Sequence, residues 1–102
     1  MYTIVTPKQF LRHANKFFRK RLDLKPRFAK LVSDLQHDPF QRRLEAHPLR
    51  GKLSGCHAVS LAHSYRITLT LHITENEIIL LDIGSHDVVK AFKISLNQMH
   101  SI

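Results

Sequence analysis

Eight histidines and sixteen lysines and arginines among 102 residues supply this chain with many groups that move protons and bind anions. Imidazole titrates near neutrality and so can take or give a proton at ordinary pH. Guanidinium presents a fixed fork of donors that matches a phosphate. Metal binding is the first use to weigh. The histidines stand at 13, 37, 47, 57, 63, 72, 86 and 100, without a CxxC or HxxxH pair, whereas zinc sites favour short, regular ligand spacing. The sequence therefore predicts neither a metal nor another cofactor. A Ser-His-Asp hydrolase is no better supported, because there is no GxSxG elbow. The glycines at 51, 55 and 84 fit no phosphate-cradling pattern. Cys56 is the single cysteine, which excludes an internal disulfide and agrees with a reducing cytoplasm; beside Gly55 it reads as a small packing residue.

One reaction suits imidazoles set near guanidinium and ammonium groups: transfer of an RNA 2′ oxygen onto the adjacent phosphate. A base takes the 2′ proton, an acid protonates the leaving 5′ oxygen, and cations stabilise the charge that builds around phosphorus. That scheme needs no metal. Arg50 and Lys52 lead into a strand, Arg66 falls on the polar face of the next, and His86 sits at a loop junction where side chains meet solvent or ligand. Each of these also has an ordinary reading as a solvated surface residue.

The charge is lopsided. Residues 1–55 hold thirteen basic and four acidic side chains, a net +9, whereas residues 56–102 hold three and four, a net −1. A basic half on a small domain suggests a polyanionic partner, most simply RNA or DNA, against the plainer reading of a soluble surface. A hydrophobic content of 43% is that of an ordinary globular protein. The longest apolar run, residues 78–81, is far too short to span a bilayer, and the first residues lack the pattern of a signal peptide. These features predict one cytoplasmic domain over residues 1–102.

The elements that must position these groups follow from periodicity. A β-prone run over residues 2–6 precedes Thr6-Pro7, an N-cap followed by proline at the first helical position. Phe10, Leu11, Ala14, Phe17 and Phe18 recur at helical spacing and predict a helix over 7–21, with Lys8, Arg12, Lys16, Arg19 and Lys20 on its other face. Leu24, Phe28, Leu31, Val32 and Leu35 predict a second helix over 25–37, stopped by Asp38-Pro39. Residues 41–55 form a basic connection without a regular element. Strands follow over 56–62, over 65–73 with Tyr65, Ile67, Leu69, Leu71 and Ile73 on one face, and over 77–83. A terminal helix is expected over 88–97. The order β-α-α-β-β-β-α is an α+β fold, an antiparallel-rich sheet packed against two N-terminal helices.

Three segments now carry a resemblance. His47-Pro48-Leu49-Arg50-Gly51-Lys52-Leu53-Ser54-Gly55 resembles the L-x-G-x-L-x-G segment before the sheet of RelE-superfamily toxins. Tyr65-Arg66-Ile67 is similar to their Y-R-hydrophobic strand start. Leu80-Leu81-Asp82-Ile83-Gly84-Ser85-His86-Asp87-Val88-Val89 resembles the L-x-x-I-G-[ST]-H-x-x-[VL] ending of the YafQ and RelE/StbE branch. With the βαα opening, the likeness covers nearly the whole chain. It implies a type II toxin that cuts mRNA, commonly on the ribosome, and is neutralised by an antitoxin protein.

By the same resemblance His86 is a general acid or base, His47 matches the histidine before the Pro-Leu-x-Gly segment, and Arg66 matches the arginine used on the phosphate. Arg50 and Lys52 would contact the RNA backbone and rRNA, and Tyr65 opens the same strand as Arg66. The family's second catalytic histidine falls on Ser60, with His57 and His63 nearby as substitutes, and its acidic residue falls on Ser64. Lys90 stands where a base-stacking aromatic is usual, with Phe92 two residues on. The alternatives are a ParE-like inhibitor of DNA gyrase and a non-catalytic protein of the same fold.

Overall fold

The computed structural model describes residues 1–85. Strand β1 (Thr3–Val5) leads into helix α1 (Lys8–Lys20), a 3-10 turn at Leu22–Leu24 and helix α2 (Lys25–His37). Phe10, Ala14 and Phe18 recur every fourth residue, so one stripe of α1 is buried while its lysines and arginines stay in water. Pro7 is itself the cap, one position later than the Thr6 cap the sequence predicts. Its extended backbone (φ −60°, ψ 158°) needs no N–H, and its carbonyl accepts the Leu11 N–H at 3.0 Å. Helix α2 ends where Pro39 forces Asp38 out of helical geometry, to φ −162° and ψ 103°. Phe28 of α2 packs against Phe10 and Phe18 of α1, with ring centroids 6.2 and 5.3 Å apart.

Four further strands follow: β2 (His47–Pro48), β3 (Cys56–Ala62), β4 (Tyr65–His72) and β5 (Glu77–Ser85). The sheet order is β1-β5-β4-β3-β2, with β1 parallel to β5 and every other pair antiparallel. This is the α+β architecture expected from the sequence. The expected helix over 88–97 lies outside the described residues. Val59, Ile67, Leu69, Ile78, Leu80 and Ile83 close one core with Phe10, Phe18, Leu31 and Leu35.

Three details depart from the sequence reading. First, the connection over 41–55 is not wholly irregular. His47–Pro48 pairs with β3, and buried Leu44 and Leu53 anchor the segment on either side. A two-residue strand has no periodicity to betray it. Second, β4 stops at His72, and Ile73 sits in the turn to β5, where its carbonyl accepts the Asn76 N–H. Third, β5 runs through Gly84 to Ser85 instead of ending at Ile83. Both added residues find partners on β4, since Gly84 pairs with Arg66 and Ser85 with Tyr65.

The register between β4 and β5 shifts by one at Leu81: Leu69 opposes Leu80, but Thr68 opposes Asp82. Such a bulge changes which residues of the longer strand face the core. Ile78 and Leu80 are buried before it and Ile83 after it, each opposite an odd-numbered residue of β4. The bulge lets an apolar run bury both ends while placing Asp82 opposite a threonine.

Candidate active face of the sheet

Residues directly opposite on paired strands share a face. Ile67, Leu69 and Val59 take the core face, so the alternate positions of β4 belong to the other one. On that face one row runs His47–Ala58–Thr68–Asp82, and the next runs Ser60–Arg66–Gly84. Arg66 therefore stands between a serine and a glycine, exposed, with no ion pair among the described residues. The small neighbours leave its fork accessible to an anion. Within the row beside it, Thr68 is fully buried and its Oγ1 has no hydrogen-bond partner.

The loop before β3 owes its shape to two glycines. Gly51 (φ +71°) and Gly55 (φ +97°) take left-handed backbone that costs other residues energy. Between them Leu53 plugs into the protein, and Leu49 N–H bonds to the Cys56 carbonyl at 2.9 Å, while Arg50 remains exposed. Lys52 lies in the 3-10 turn Gly51–Leu53.

The remaining candidates are not gathered on this face. His47 shares the Arg66 face at the sheet's far edge, with its Nδ1 3.1 Å from the Glu45 carbonyl. His57 opposes Leu69 and so takes the core side, half-buried with its ring edge-on to Phe40 at 6.5 Å. Burial, and secondarily the charge of nearby His47, hold the His57 pKa below its ordinary value, and its Nδ1 is buried without a partner. His63 is exposed in the turn joining β3 to β4.

Tyr65, which the resemblance offers as an RNA contact beside Arg66, has its side chain engaged on the helix side. Its hydroxyl accepts a hydrogen bond from Arg21 Nη1 at 2.8 Å, the Arg21 guanidinium lies 5.0 Å above its ring, and Phe17 packs edge-on at 5.2 Å. Arg21 is held in turn by both oxygens of Asp23, which keeps that carboxyl below the usual range. Tyr65 thus ties the start of β4 to the helices. His86, Lys90 and Phe92 lie outside the described residues.

The structure adds a pair that sequence reasoning did not single out. Asp82, only 2% exposed, accepts the Ile83 N–H at 2.8 Å and lies 2.9 Å from Nδ1 of His13, which is 41% exposed. The available signal was a lone carboxylate inside an apolar strand, since buried acids are nearly always partnered. Its partner, 69 residues away in sequence, had no signal. Among the described residues no group of three or more His, Cys, Asp or Glu side chains could hold a metal ion.

No protein-family model and no curated protein matches the sequence. Solved structures do match. A metal-bound toxin from Helicobacter pylori is 28% identical, with a TM-score of 0.72 over 85% of this chain and 97% of its own. YafQ from E. coli is 16% identical, with a TM-score of 0.72 over 87% of this chain and 98% of its own. The E. coli DinJ-YafQ complex matches at 17% identity and a TM-score of 0.70, over 86% of this chain and 97% of that one. This chain has the RelE/YafQ-like toxin fold. The toxin fold extends over nearly the full length of those chains, so the Arg66 face lies on a shared scaffold.

Proposed function

We propose that this chain is the toxin of a type II toxin–antitoxin pair, a cytoplasmic endoribonuclease that cleaves ribosome-bound mRNA and so inhibits translation. The observation that carries the reading is Arg66, an exposed guanidinium without an ion pair among the described residues, flanked by Ser60 and Gly84 on the sheet face away from the core of a YafQ-like fold. It neutralises the scissile phosphate as charge develops there. His86, the residue after Ser85, serves as acid to the leaving 5′ oxygen, and imidazole and guanidinium together need no metal for this chemistry.

Arg50, Lys52 and the exposed α1 cations Lys8, Arg12, Lys16, Arg19 and Lys20 bind the RNA backbone and rRNA by charge. Lys90 and Phe92 contact the flanking nucleotides. His47 lies on the reacting face; His63 is at its margin, and His57 is the least suited to proton transfer because it is turned to the core side. The protein partner is an antitoxin, in keeping with the DinJ-YafQ complex. No helix among the described residues is long and apolar enough to cross a membrane.

The test is induced expression followed by mapping of mRNA 5′ ends, with wild type beside Arg66→Ala and His86→Ala. Growth arrest with codon-positioned cuts, relieved by either substitution, is the expected result. Intact transcripts with reduced gyrase supercoiling would replace this reading with the ParE-like one.

A further inference from the structure

The geometry points to His13 as the general base of this reaction, with Asp82 as its positioning residue, an assignment that rests on the nuclease reading above. A loose surface histidine has no fixed partner, but His13 has one in Asp82. Its Nδ1 is 2.9 Å from Asp82 Oδ1, and that oxygen is itself fixed by the Ile83 N–H at 2.8 Å. A buried carboxylate on Nδ1 sets the tautomer, leaving Nε2 as the free nitrogen. With 41% of the side chain exposed, the imidazole is open to an incoming ligand.

The fold brings this pair to Arg66. Strand β1 pairs with β5 only as far as Ile79, so among the described residues no strand covers the outer edge of β5 from Leu80 onward. Helix α1, which packs against β5, delivers His13 to that edge. Asp82 opposes Thr68 and Gly84 opposes Arg66, which makes Asp82 a diagonal neighbour of Arg66, about 7–8 Å away by backbone spacing. The carboxylate that orients His13 thus stands one residue pair along the sheet from the guanidinium that would hold the phosphodiester. This also answers a gap in the sequence: the position directly beside Arg66 where the toxin pattern has a histidine is Ser60, whose hydroxyl bonds to the Ala62 carbonyl.

In the step, His13 Nε2 takes the proton of the RNA 2′ hydroxyl as the 2′ oxygen bonds to phosphorus. The bond from phosphorus to the 5′ oxygen breaks, and that oxygen receives a proton from the acid on its own side. The products are a 2′,3′-cyclic phosphate and a 5′ hydroxyl, with no change of oxidation state.

Purified wild-type protein, His13→Ala, Asp82→Asn and Arg66→Ala are compared for single-turnover cleavage on ribosomes programmed with a short labelled mRNA, with and without added imidazole, and for thermal stability. His13→Ala is expected to slow cleavage about 10²-fold or more, with part of the rate restored by imidazole. Asp82→Asn, which keeps the shape but not the charge, slows cleavage without responding to imidazole, because His13 still fills the site. A tether without a chemical role would lower the melting temperature and show no rescue. Wild-type rates in His13→Ala, or a loss that imidazole leaves unchanged, overturn the assignment while Arg66→Ala still reports on the nuclease reading. A wild-type protein that cuts nothing defeats that reading first, and this one with it.

Discussion

Replacing Thr68 with valine should make this protein more stable. Thr68 is fully buried, between Ala58 at 1% and Asp82 at 2% exposure, and its Oγ1 reaches no partner. A buried hydroxyl without a hydrogen bond costs about 1–3 kcal/mol in lost hydration. Valine keeps the branching at Cβ, and hence the strand rotamer, while removing that cost. A gain of about 1–2 kcal/mol follows, and for a chain of this size each kcal/mol moves Tm by about 4–8 °C. Thr68→Ser is the control, since it keeps the stranded hydroxyl and deletes a methyl, at a loss of about 1 kcal/mol. Calorimetry on the three proteins decides it. If Thr68→Val melts at or below the wild-type temperature, the hydroxyl is satisfied in solution and the account of this face is wrong.

Arg66→Ala removes no internal ion pair among the described residues and should change stability by less than about 0.5 kcal/mol, yet lower the cleavage rate about 10²–10³-fold; a several-degree fall in Tm would mark Arg66 as structural instead. Gly55→Ala should cost about 1–2 kcal/mol from its backbone at φ +97° alone, because an added Cβ meets nothing within 4 Å; urea denaturation reads this directly, and an unchanged midpoint would contradict it. His57 has its folded pKa held below the ordinary 6.5, so folding disfavours its protonated form. Both states are neutral above that value, and stability is lost as pH falls from 6.5 through the lower folded pKa. Unfolding curves across that window should show a steeper loss for wild type than for His57→Leu, and parallel curves would refute the burial argument.

The two helices were legible because their apolar residues repeat every third or fourth position, and α2 has the predicted bounds. Proline at the end of α2 acts through local sterics, which any reader of the sequence can apply. Strands β3 and β4 were legible from alternation and from their turns. The β2 strand was not, since a pair of residues carries no period, and neither was the bulge at Leu81, which exists only in the mismatch between two strands. Within the candidate site, Arg66 could be placed on the polar face by parity alone. The same parity put Tyr65 with Ile67, but neither its bond to Arg21 nor the side taken by His57 could be read so, because which side chains the helices cover and bind is a matter of packing.

The sequence by itself determined the element types, the basic first half, and the side chains available for proton and phosphate chemistry, all of which depend on neighbours a few residues apart. Only the tertiary structure decided which of those side chains meet. It turned His57 toward the core, bound Tyr65 to Arg21, and brought His13 of α1 onto buried Asp82 across 69 residues of chain. Contacts of that range are set by sheet register and helix docking, and a one-residue shift in register moves every side chain of a strand to the opposite face.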